Sequence, residues 1–170
     1  MENDKSEIEK TCDELFRFAI DRENLRGLVA GLPEASDIFR ATVEHELQIL
    51  KIISVGWSLS YYLPDSPLKT ELTTRFWQSV RDFSKDLAQT TKLLIQQDIN
   101  FLDAVKIRFD GYLEEMQKNV DTPEPAVVIG PTFARVCGDA DNAHAVMAGA
   151  RMFIGTVGEV KSYLERLKLR

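Results

Sequence analysis

Between Pro67 and Gly111 the chain contains neither glycine nor proline, and apolar residues recur through it at helical spacing. Leu68, Leu72, Phe76, Val80, Phe83, Leu87, Leu94, Phe101, Val105 and Phe109 stand mostly three or four residues apart. That interval keeps side chains on one face of a 3.6-residue helix and is wrong for the two-residue repeat of a strand. A long helix with one narrow apolar seam cannot bury the seam by itself, so it belongs in a bundle. The predicted fold class is all-α, a helical bundle of four to five main helices.

Punctuation orders the rest of the chain. A first helix starts near Asp4 or Ser6 and carries Ile8, Cys12, Leu15, Phe16 and Ala19 on one side. Asp21 to Ala30 is a short further piece of helix before Gly31-Leu32-Pro33, and Pro33 or Ser36 opens the next helix, which runs to Leu63. In Leu63-Pro64-Asp65-Ser66-Pro67, Ser66 is a cap and Pro67 suits the first helical position, where its missing N–H would be unpaired anyway. The seam beyond keeps its phase past residue 110, which permits one unbroken helix protruding from the domain, a sign of dimerisation. A break at Asp98-Ile99-Asn100 suits ordinary helix lengths better. It gives two antiparallel partners, with Asn100 as cap and Asp103 in the first turn.

Asp121-Thr122-Pro123-Glu124-Pro125 ends that region. Ala126-Val127-Val128-Ile129, closed by Gly130-Pro131, reads as an extended segment along the bundle, with no second strand to pair with. The last helix runs from Asp139 or Asp141 to about Leu167. One domain spans 1–170, divided into a main bundle at 1–120, an extended crossover at 121–138 and a C-terminal helix at 139–170 packed on the bundle.

The formal charge of −6 and the lack of a long Lys/Arg run exclude nucleic acid as a partner, because phosphate contacts need clustered cations. Lys161, Arg166, Lys168 and Arg170 complement the negative end of a terminal helix. Leu47 to Leu63 and Ala143 to Val160 approach membrane length, but Lys51 and Arg151 interrupt them at about 2.5–3.5 kcal/mol each near a span's centre. Both read as buried helices, and no membrane partner is expected. Met1-Glu2-Asn3-Asp4-Lys5 lacks the apolar core of a signal peptide. Cys12 and Cys137, far apart, match neither a disulfide framework nor a zinc knuckle. The expected location is cytoplasmic.

Three places hold candidate chemistry. On the helix from Ser36, Phe39, Val43, Leu50, Ile53, Trp57 and Tyr61 share one arc, and Ile38, Ile49, Ile52, Leu59 and Leu63 fill the next. Arg40, Glu44, Gln48 and Lys51 take the remaining wet side. Glu46 breaks the pattern by pointing between Phe39 and Ile53, with Thr42 and His45 close enough on the helix to touch it. A carboxylate on an apolar face marks a site when unpaired and locks the packing when paired. Neither histidine follows a Glu-x-x spacing, Asp141-Asn142-Ala143-His144 is a partial match at best, and two histidines exclude a three-histidine site. No metal site is assigned and no motif names a cofactor.

The second place is Cys137-Gly138-Asp139-Ala140-Asp141-Asn142-Ala143-His144, where a thiol, two acids and a histidine surround a helix start. It reads as a nucleophile with its base or a metal site, or more plainly as Asp139 and Asp141 capping a helix. The third is the last helix. Ala143, Met147, Ala150, Ile154, Val157, Leu164 and Leu167 form the expected core stripe, and Ala145, Ala148, Gly149, Gly155 and Gly158 a second, small-residue face. Three interior glycines cost about 1 kcal/mol each against alanine. Close approach of another backbone offsets such a cost, inside the bundle or across an interface, and space for a flat ligand is the other use of such glycines.

These features predict a non-enzymatic cytoplasmic interaction or regulatory module that self-associates as a homodimer or binds a protein partner. The alternative is a small-ligand- or metal-binding bundle protein, an enzyme included, whose polar site is formed by Thr42, His45, Glu46 and His144.

Overall fold

In the computed structural model, which describes residues 6–33, 35–95 and 100–169, no strand occurs among the described residues. The elements are α1 (Glu7–Ile20), α2 (Glu23–Ala30), α3 (Asp37–Tyr62), α4 (Pro67–Ile95), α5 (Phe101–Lys118), α6 (Ala126–Val136) and α7 (Ala143–Arg166). Five have 14 residues or more, and α2 and α6 are short. The protein is an all-α bundle.

Local chemistry sets where most of these helices start. The Ser6 hydroxyl accepts from the Glu9 N–H while the Glu9 carboxylate takes the Ser6 N–H, a reciprocal box. Ser36 accepts from Phe39 N–H, Ser66 from Lys69 N–H and Asn100 from Asp103 N–H. Each satisfies one of the four N–H groups that a helix start leaves without partners. The cap of α7 is Asn142, bonded to Ala145 N–H, rather than the expected Asp139 or Asp141. Of the expected break, Asp98 and Ile99 lie outside the described residues. α5 nevertheless runs antiparallel to α4, since Phe83 meets Phe101 at 5.9 Å and Trp77 meets Phe109 at 5.8 Å between ring centroids.

α3 is the central helix and touches α1, α2, α4, α5 and α7. Val43, Leu47, Leu50, Ile52, Val55 and Leu59 are buried along it. Its polar stripe corrects the sequence reading, because Gln48 and Lys51 are buried rather than wet. Gln48 Nε2 donates to the Ala19 carbonyl and Lys51 Nζ to the Asp21 carbonyl, both at 2.8 Å. Arg40 donates to the carbonyls of Leu32 and Ala35, and Glu44 pairs with Arg22. Gln48 and Lys51 thus supply donors to carbonyls at the C-terminal end of α1, where the helix dipole also favours a cation. Burial holds the Lys51 pKa below its usual value, against the pull of Asp21.

The largest departure lies at 126–136, which is helical rather than extended. Ala126, Ile129, Gly130, Phe133, Ala134 and the C-cap Cys137 are buried at a spacing that closes a helical face over twelve residues. Extending the window past Gly130-Pro131 reveals that period. Pro131 lies inside this helix on its exposed side, next to the exposed Val127 whose carbonyl loses its donor there. The helix ends instead at Gly138, whose φ of 90° continues into bonds from Gly138 N–H to Arg135 O and from Asp139 N–H to Ala134 O. That pair of bonds is a Schellman stop, which favours glycine at the left-handed position.

α7 is rotated from the expected orientation. Its buried residues are Ala145, Ala148, Gly149, Met152, Phe153, Thr156, Val160 and Leu164, while Met147, Ile154 and Leu167 of the expected core stripe are exposed. Ala145, Ala148 and Gly149 face inward, and at Gly149 α6 comes very close. A Cβ on Gly149 would stand 2.6 Å from Cβ of Phe133, and one on Gly130 2.8 Å from the Val146 carbonyl oxygen.

Candidate functional site

Glu46 is 5 % exposed and lies on α3 facing α5. Arg108 grips its carboxylate with two bonds of 2.9 Å, Nε to Oε2 and Nη2 to Oε1. The fork geometry of a guanidinium matches a carboxylate in this way. That hydrogen bond to Glu46 raises the Arg108 pKa further. One turn on from Arg108, Tyr112 is 2 % exposed and its hydroxyl has no hydrogen-bond partner among the described residues. Burial pushes its pKa well up, and Glu46 and Cys137 push in the same direction. Cys137, at the end of α6, is also buried, and burial followed by the Glu46 charge pushes its thiol up to about 12.

The four residues form a polar cluster joining α3, α5 and α6. Its chemistry is that of a closed lock. The carboxylate is already paired, the thiol is held protonated, and only the guanidinium reaches solvent, with about a third of its side chain exposed. Arg108 and Tyr112 carry no sequence signal beyond their i, i+4 spacing on the face that α5 turns to α3.

The other candidates do not gather around Glu46. His45 is exposed, with its ring edge-on to Phe101 at 6.1 Å, and Thr42 is half-buried. His144 is exposed and opens on a shallow depression with Ser36, Phe39, Asp139 and Asn142, which neither His45 nor Glu46 lines. Asp139 accepts from the Asn142 side chain. Cys137 lies before the Gly138 turn and not at the start of α7, so no helix N-terminus activates its thiol, contrary to the nucleophile reading. Among the described residues no group of three His, Cys, Asp or Glu side chains is placed to hold a metal ion. No described helix is long and apolar enough to cross a membrane.

The small-residue face divides in two. Ala145, Ala148 and Gly149 are buried within the chain, so they are not available to a second molecule. Gly155 and Gly158 are exposed, and a Cβ on either would meet nothing within 4 Å. They share the outward side of α7 with Met147, 47 % exposed, and Ile154, 58 % exposed. No protein-family model, curated protein or solved structure matches the chain.

Proposed function

We propose that this chain is a non-enzymatic, cytoplasmic interaction module that works as a self-associated helical bundle, a homodimer in its simplest form. The observation that carries the reading is the outward side of α7. Met147, Ile154, Gly155 and Gly158 stand there beside the exposed charges of Arg151 and Glu159, an unusual amount of apolar and bare-backbone surface for a water-facing side. Two mid-helix glycines cost about 2 kcal/mol against alanine. Unlike Gly149, they recover none of it through a close neighbour in the same chain. A contact with a second molecule supplies the compensation in this reading.

The polar interior supports the same reading. Glu46 and Arg108 satisfy each other, and the thiol beside them stays protonated, which leaves no activated nucleophile or base in the cluster. Two buried, unpaired cysteines suit a reducing compartment.

Sedimentation equilibrium over a wide concentration range tests this. The expected result is a reversible dimer with unchanged helicity. A single monomeric mass at every concentration, with no partner needed for stability, would refute self-association. Metal and small-molecule analysis of tag-free protein tests the rival reading, and a stoichiometric bound species would favour it.

A further inference from the structure

A trough runs between α2 and α7. Gly27 and Gly155 line it above the buried Met152 and Thr156, and a Cβ on either glycine would meet nothing within 4 Å. Glu23 and Leu28 stand on the α2 side, Arg151 and Glu159 on the α7 side. Along α7, Arg151, Gly155 and Glu159 are spaced i, i+4 and i+8, so they follow one line on the helix surface. The glycine is at the midpoint and opposite charges lie one turn to either side. Among the described residues neither charge has an ion-pair partner. Glycine occupies the position four residues from each, where an intrahelical partner would stand.

The geometry points to a two-fold, antiparallel docking of a second copy of this chain along the trough, α7 against α7, with Gly155 at the axis. A two-fold axis perpendicular to α7 at Gly155 carries position 151 onto 159 and 159 onto 151. Arg151 of each copy then meets Glu159 of the other, giving two identical ion pairs about 6 Å to either side of the axis at 1.5 Å rise per residue. A parallel arrangement would set arginine on arginine and glutamate on glutamate. Gly155 at the crossing lets the two helices approach to the near end of the usual 8–10 Å, and Ile154 beside it loses its exposure. The occupant follows from this self-complementarity: the same line of charge is its own partner when reversed.

The inference rests on the self-association proposed above, and charge reversal separates the two. Arg151→Glu sets four carboxylates around the axis, and Glu159→Arg sets four cations. Like charges placed together in this way should weaken the dimer about tenfold or more. The double variant, Arg151→Glu with Glu159→Arg, restores both pairs with their signs exchanged and should recover the dissociation constant to within about threefold. All three variants change exposed positions alone, so helicity and unfolding midpoint of the monomer serve as controls. A dimer untouched by either single reversal would overturn this face while leaving self-association standing. Weakening by both singles without rescue by the double would overturn the antiparallel register. A monomeric wild-type chain would overturn the functional reading itself, and this inference with it.

Discussion

Replacing Gly149 by alanine adds one methyl group where α7 crosses α6. The new Cβ would stand 2.6 Å from both Cβ and Cγ of Phe133 and 2.8 Å from its Cδ1. Ordinary contact begins near 3.4 Å, so the shortfall is about 0.8 Å. Turning the Phe133 ring does not relieve it, because one of the clashing atoms is the Cβ fixed to the α6 backbone. α6 has to move as a body, and the close fit of Gly130 on the Val146 carbonyl resists that movement. Overpacking of this kind costs about 1–3 kcal/mol, here near the upper end. The better helix propensity of alanine returns about 1 kcal/mol. The net loss is about 2 kcal/mol, which lowers Tm by roughly 4–8 °C for a chain of this size. Gly111→Ala on α5 is the matched control, since its Cβ would meet nothing within 4 Å. It should stabilise by about 0.4–1 kcal/mol. Thermal melts followed by circular dichroism read both. Equal, positive shifts for the two variants would refute the close crossing of α6 and α7.

Three further outcomes follow from the polar cluster. Tyr112→Phe removes a buried hydroxyl that has no partner among the described residues, and should raise the urea midpoint by an amount worth about 1 kcal/mol; a loss of similar size would show that the hydroxyl is bonded in solution. Glu46→Gln leaves Arg108 without its charge partner and should cost about 2 kcal/mol, less than the 3–5 kcal/mol of a fully buried pair because the arginine is partly wet. Glu46→Leu combined with Arg108→Met should recover most of that loss, and additivity of the two single effects would deny the pair. Stability should also fall as pH rises above 9.0, the ordinary thiol value, toward the value of about 12 in the folded protein, since Cys137 then loses its proton more readily unfolded. Cys12 and Tyr112 act in the same sense, and Lys51, whose pKa is held down, opposes them as pH approaches 10.5. Urea titrations between pH 8 and 11 check this, and Cys137→Ala should flatten the decline.

What the chain declares by itself is whatever depends on neighbours a few residues away. The seam from Leu72 through Phe76 and Val80, the serine and asparagine caps and the stop at Leu63-Pro64 are local, and each is found where its chemistry requires. Glu46 is legible for the same reason, since a helix advances 100° per residue whatever surrounds it. The angle does not tell what stands opposite, so Arg108, Tyr112 and Cys137 enter only with the fold. Gln48 and Lys51 invert the usual rule that polar means wet, because the end of α1 happens to need donors on that side. At 126–136 the local signals, β-branched residues with a glycine and a proline, argue against helix, and burial of Ile129, Gly130 and Phe133 against α7 overrides them. The glycines of α7 make the division plainest. Their cost to the helix is written in the sequence, but only the path of α6 determines that Gly149 is enclosed while Gly155 and Gly158 face outward. Proximity along the chain specifies conformation, and proximity in space specifies which surface is left for a second molecule.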